Sequence, residues 1–158
     1  MINSIALSLL SLSPSASSNG LLTSHFDNVL GTSLDLKIIA NSEASASLAE
    51  AKVLAEIHRL NEILSAHGSS EFSNWLSTRG ESVEISSELR EVLQHFEEWN
   101  AKTDGALNAA SEHISQLWTA EIPSVEARAN AVAEVNQPHW SLDESGATRL
   151  TDTELKLH

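Results

Sequence analysis

Hydrophobic and polar positions alternate between two periods along this chain. From Phe26 to Ala40 the period is two: Leu34, Leu36 and Ile38 interleave with Ser33, Asp35 and Lys37, which predicts a strand with one buried and one wet face. Gly31 interrupts the alternation and reads as a bulge or a close backbone approach. The period then lengthens. Asn41 or Ser42 caps a helix with Glu43 in its first turn, and Ala46, Ala49, Val53, Ile57, Leu60 and Leu64 form its apolar stripe. Burial of each large aliphatic there is worth roughly 1.5–3 kcal/mol, so this helix is expected to pack on the strand before it.

Ser65–Ser70 reads as a loop, Glu71–Leu76 as a short helical turn, Arg79-Gly80 as a break and Val83/Ile85 as a short strand. Ser86 caps the next helix, whose Leu89, Val92, Leu93, Phe96 and Trp99 share one face, and Glu98 and Lys102 are placed to pair near its end. Thr103-Asp104-Gly105-Ala106-Leu107-Asn108 breaks the pattern, with Gly105 available for positive φ. A second helix follows through Ala110, Ile114, Leu117 and Trp118. A turn followed by a helix N-terminus is expected to offer backbone donors to an anion or polar ring, although such connections are usually plain structural turns. Pro123-Ser124 opens an alanine-rich helix to about Val135, ended by Asn136 and Pro138. Trp140 and Leu142 read as a strand, Glu144-Ser145-Gly146 as a turn, and Leu150, Leu155 and Leu157 as further extended segments. The sum is an α+β fold with a mixed or antiparallel sheet and packed helices.

Composition narrows the partners. The 158 residues, 41% of them hydrophobic, support a folded domain. A net charge of −13 argues against a nucleic-acid partner, whose phosphates would meet general repulsion. With no cysteine, disulfides, thiol nucleophiles and thiolate zinc sites are excluded. The seven histidines show no i,i+4 pair of the helical metal-motif kind, and His95 has Glu91 one turn earlier as a partner. Glu97-Glu98 reads as a solvated helix face, and Trp75, Trp99, Trp118 and Trp140 as core or interface anchors.

Residues 1–24 read as a leader: the apolar run Ile5–Leu12 and the small residues that follow resemble a signal-peptide remnant, or else a mildly apolar disordered segment, since no Lys or Arg precedes the run. Residues 25–158 form the domain. The pattern stops among extended segments, and the chain reads as truncated at its C-terminus.

Four stretches in order resemble the FAD:protein FMN transferase family, the ApbE-type flavin transferases. They are Val29-Leu30-Gly31-Thr32, similar to the family's Met-Gly-Thr; the long helix through Ile57, Leu60 and Asn61; Leu64-Ser65-Ala66-His67 followed by Ser70-Glu71-Phe72, similar to Leu-Ser-x-Tyr and Ser-Glu; and Thr103–Asn108 leading to Leu117-Trp118, similar to Thr-x-Gly-Ala-Phe-Asp leading to Leu-Trp. The resemblance covers the N-terminal half of such an enzyme. It implies FAD as substrate, Mg²⁺, and transfer of FMN to a threonine of a partner flavoprotein in the periplasm or cell envelope, including membrane-associated partners.

Carried over by position, Leu30, His67, Ala106, Leu107 and Asn108 are the candidate FAD contacts. Leu30 stands where the family has methionine, His67 where it has an aromatic hydroxyl, and Asn108 where it has aspartate. The resemblance places the catalytic and metal-binding residues beyond residue 158, with no metal ligands within the chain. The alternative is a degenerate, non-catalytic module with the transferase fold. Ser145-Gly146-Ala147-Thr148 is similar to the threonine acceptor motif, but Leu142 occupies the position of its acidic residue, and a plain turn is the preferred reading.

Overall fold

The computed structural model describes residues 20–117 and 122–157. Contacts divide the chain into two compact units, residues 1–59 and 60–158.

In the first unit, β1 (Leu21–Val29) and β2 (Thr32–Ile39) form an antiparallel hairpin, with Leu21 opposite Ile39 and Val29 opposite Thr32. The strand thus begins inside the stretch 1–24 assigned to the leader, whose apolar run lies outside the described residues. Gly31 is not a bulge. It shares a two-residue turn with Leu30, and both have positive φ, 79° and 53°, the combination whose twist matches the flanking strands. The irregular register falls earlier, between Phe26 and Val29, where Asn28 also takes positive φ.

Helix α1 (Glu43–Leu64) follows, and the Ser42 hydroxyl accepts the Ser45 N–H at 3.2 Å as its cap. The Ser24 hydroxyl donates to the Glu50 carboxylate and joins this helix to β1, a polar link outside the 26–40 stretch on which the apolar stripe is expected to pack. Of the anticipated stripe, Ala46 is buried and Val53 is exposed; Leu54 takes the inward position instead.

The second unit holds the larger core. Helix α2 (Glu71–Leu76), capped by Ser70, contributes Phe72 and Trp75, each 1% exposed, with ring centroids 6.0 Å apart. Helix α3 (Ser87–Lys102), capped by Ser86, adds the fully buried Leu89 and Leu93. The four-residue spacing puts both on the face that meets α2's aromatics in one cluster. Trp99 leaves that face: it is 50% exposed, and the Lys102 ammonium sits 5.1 Å from its ring centroid.

Helix α4 spans only Ser111–Gln116, shorter than the periodicity predicts, and Trp118 lies outside the described residues. Helix α5 (Val125–Val135) is capped by Ser124 and buries Ala131 and Val135. Three short strands, β3 (Ser82–Val83), β4 (Trp140–Leu142) and β5 (Ala147–Arg149), form an antiparallel sheet in the order β3-β5-β4. Residues 150–157 form no strand. Leu155 nevertheless enters the core, and the Lys156 N–H donates to the Ala109 carbonyl at 2.8 Å. Both sheets are antiparallel and the chain also carries five helices among the described residues, so the architecture is the expected α+β.

Candidate functional site

The loop between α3 and α4 is built from its flanking side chains. Asp104 and Gly105 take positive φ, 50° and 85°, and turn the chain sharply away from the helix axis. The Gly105 N–H donates to Asn100 O at 2.8 Å, closing the end of α3. Both backbone polar groups of Leu107 are then held by side chains: its N–H donates to the Thr103 hydroxyl at 2.9 Å, and its carbonyl accepts from the Asn100 amide at 2.9 Å. The Thr103 hydroxyl in turn donates a hydrogen bond to Trp99 O at 2.7 Å.

This corrects the expectation of free backbone donors. The N–H groups of Gly105, Ala106 and Leu107 are all used internally, Ala106 donating to Thr103 O. Beyond the exposed Asp104, what the loop shows outward is apolar: Ala106 is exposed and Leu107 is 42% exposed. Such a surface suits the face of an aromatic ring better than a phosphate.

Asn108 turns inward. Its Oδ1 accepts the Ala110 N–H at 2.8 Å, so it caps the turn that leads into α4. Its Nδ2 donates to the Val135 carbonyl at 3.0 Å, reaching the last turn of α5. That carbonyl also accepts from His139 Nε2 at 3.1 Å, which fixes the neutral tautomer with hydrogen on Nε2 and leaves Nδ1 to accept from the Thr151 hydroxyl at 2.7 Å. Burial pushes the His139 pKa down; the Val135 hydrogen bond opposes this, and the charge of Arg149 adds to it.

Behind the loop lies a cavity of about 140 Å³, lined by Glu97, Asn100, Asn108, Val135, His139 and Trp140 among others. Partial burial raises the Glu97 pKa, and the Trp140 indole beside it pulls in the opposite direction. The Trp140 Nε1 itself is buried without an acceptor in hydrogen-bonding geometry. Ligand pockets usually span about 300–1,000 Å³, so this space is too small for a flavin ring system.

Of the remaining candidates, Leu30 occupies the hairpin tip in the first unit, 65% exposed and in the left-handed region. His67 is exposed in the loop after α1, where the Ser65 hydroxyl accepts its N–H at 3.1 Å. Ala106, Leu107 and Asn108 are brought together by the loop; His67 belongs to a different loop, between α1 and α2. Sequence reasoning missed Asn100 and took Thr103 only as the first residue of the motif, yet both hold the loop. Their positions were legible as polar residues in the last turn of an amphipathic helix, beside a glycine.

His95 stands 3.7 Å from Glu91, as its spacing implied, and 3.5 Å from Glu98. Thr148 sits in the middle strand of the sheet, opposite Ser82 and Ser141. The preceding turn is closed by the Asp143 carboxylate, which accepts from the N–H groups of Ser145 at 2.7 Å and Gly146 at 2.9 Å. Among the described residues no group of three or more His, Asp or Glu side chains could hold a metal ion, and no helix is long and apolar enough to cross a membrane.

The fold matches solved flavin transferases. The flavin transferase ApbE of Vibrio cholerae superposes with a TM-score of 0.69 at 18% identity, over 87% of this chain and 48% of that one. The apo flavinyl transferase ApbE of Pseudomonas stutzeri gives 0.65 at 19% identity, over 86% and 47%. The ApbE protein of Thermotoga maritima gives 0.69 at 19% identity, over 87% and 47%. The chain therefore has the fold of these proteins and spans about half their length. It belongs to the ApbE family, whose sequence profile matches residues 30–158. No curated protein matches the sequence.

Proposed function

We propose that this chain is the N-terminal part of an FAD:protein FMN transferase that acts on a threonine-bearing flavoprotein of the cell envelope. In that reaction the acceptor threonine oxygen bonds to the FMN phosphorus, the pyrophosphate bond of FAD breaks, AMP leaves, and the threonine proton passes to a base. The observation that carries the reading is the loop 103–108. It bears the family's glycine turn, its backbone is pinned by Asn100 and Thr103, and Ala106 and Leu107 face outward. A pinned loop loses little further freedom when a ring settles on it, which favours binding.

Leu30 supports the same reading. A large apolar side chain at an exposed, positive-φ hairpin tip is costly twice over, in backbone strain and in wetted surface, and such strain concentrates at functional positions. The described residues offer no ligand set for Mg²⁺. The contact proposed for the second unit is the apolar one that Ala106 and Leu107 offer to the FAD ring; Leu30 is proposed as a separate contact on the first unit.

The test is transfer itself. The chain, alone and as part of any longer polypeptide that contains it, is incubated with FAD, Mg²⁺ and a threonine-bearing acceptor peptide, and the peptide is weighed by mass spectrometry. Addition of FMN by the longer form supports the reading. No transfer and no quenching of flavin fluorescence would favour a non-catalytic module with the transferase fold.

A further inference from the structure

One donor and one acceptor direction of the Asn108 side chain are spent inside the protein. Its Oδ1 takes the Ala110 N–H and its Nδ2 gives a hydrogen to Val135 O. The amide orientation follows from the partners, because a flipped side chain would set N–H against N–H and carbonyl against carbonyl. With His139 Nε2 as second donor, both lone pairs of the Val135 carbonyl are engaged. An aspartate here would keep the Ala110 cap but could not donate. It would place an anionic oxygen against the Val135 carbonyl, on the wall of a small cavity that Glu97 already lines.

We propose that Asn108 is a positioning residue: it straps the loop 103–108 to the C-terminal carbonyl of α5, leaving ring contact to Ala106 and Leu107. The role assigned toward FAD rests on the transferase reading; the strap itself does not. The charged and titratable groups that bear on the test are Glu97 of α3, His139, and Arg149 of β5, which acts on His139.

The experiment compares N108D with the wild-type 158-residue chain by thermal unfolding, followed by tryptophan fluorescence at pH 7.5 and pH 4. At pH 7.5 N108D is expected to melt about 5 °C lower. The gap is expected to narrow at pH 4, where a protonated carboxyl can donate to Val135 O as the amide does. In the same variant the His139 ring, followed by NMR, is expected to titrate at higher pH, because a carboxylate beside it favours the imidazolium. A residue that merely filled space would move neither the pH dependence nor the His139 titration. Equal stability at pH 7.5, or a gap that ignores pH, would overturn the strap. If N108D does not fold, solvent exchange of the wild-type Asn108 Nδ2 hydrogens decides: slow exchange supports the proposal, and exchange at the rate of a free amide overturns it. FAD titration of the wild type is read separately, so a failed transferase reading leaves the strap standing and a failed strap leaves flavin binding intact.

Discussion

The Trp75 indole Nε1–H donates to the Ala147 carbonyl at 3.1 Å, so a residue of α2 is bonded to the middle strand of the sheet across 72 positions of sequence. The ring is 1% exposed and stacks on Phe72. Replacing it by phenylalanine removes the donor and leaves a buried carbonyl short of a partner; the expected loss is about 1–3 kcal/mol. Replacing it by alanine adds a cavity, for about 3–5 kcal/mol. Urea titration of the two variants checks the order, and equal stability of W75A and wild type would contradict this placement of Trp75.

Gly146 lies directly beneath the backbone of β3. A Cβ there would stand 2.0 Å from Val83 O and 2.5 Å from its carbonyl carbon, and no rotamer change can relieve a clash with main chain. G146A is expected to separate β3 from β5 and to lower stability by about 3 kcal/mol or more. Loss of amide protection at Val83 and Thr148 in hydrogen exchange would show where the damage falls.

Thr103 and Asn100 hold opposite ends of the Leu107 peptide unit. T103V keeps the shape but removes the acceptor, so the Leu107 amide should exchange with solvent at least tenfold faster, an opening cost of about 1.4 kcal/mol. T103S should restore protection. Under the proposed function T103V should also weaken FAD binding, because the loop must then be ordered at the expense of binding energy.

His139 makes the second unit sensitive to acid. Burial holds its folded pKa below the ordinary histidine value of about 6.5. As pH falls through that value the unfolded chain takes up a proton that the folded chain resists, so stability is full above about pH 6.5 and declines below it. His25, in the first unit, behaves oppositely. Hydrogen bonds that the ring donates to Asp35 first, then to Asp27, raise its pKa, so its contribution is present below about pH 6.5 and is lost as pH rises through the folded value. Tryptophan fluorescence separates the two, because Trp75, Trp99, Trp118 and Trp140 all fall in residues 60–158. H139Q should flatten the fluorescence-detected slope between pH 6.5 and 5; an unchanged slope would refute the assignment.

Leu30 pairs a leucine with a conformation that asparagine adopts more readily. L30N creates the Asn-Gly dipeptide favoured in this turn and should stabilise the hairpin by about 1 kcal/mol. Slower amide exchange at Val29 and Thr32 would show it. If Leu30 contacts the flavin as proposed, the same variant should bind FAD less well, so stability and binding should move in opposite directions.

Local chemistry carried most of the elements. Ser42, Ser70, Ser86 and Ser124 mark helix starts because each hydroxyl accepts an N–H that the first turn leaves unpaired. The 3.6-residue period of Leu89 and Leu93 placed the core face of α3 for a similarly local reason. Periodicity went wrong where tertiary partners decide. Trp99 fits the apolar stripe, yet it lies at the end of α3, where it meets Lys102 and solvent. Leu155 sits in an extended, polar neighbourhood and enters the core without any ladder.

The site was half legible. The Thr103–Asn108 motif located the loop, but the direction in which Asn108 points depends on Val135, 27 residues away. Gly31 was recognised as conformationally special, but only the register of the paired strands shows it to be a turn residue and not a bulge.

The Lys156–Ala109 hydrogen bond bears on the order in which the molecule is made. Ala109 is the foot of the 103–108 loop, and the residues that secure it, Leu155 and Lys156, leave the ribosome well after it. Non-local contacts of this kind must wait for the chain that supplies them and then for its closure. During synthesis, α3 and the turn after it can therefore form early, while the anchored loop is completed only once the segment around residue 155 has emerged.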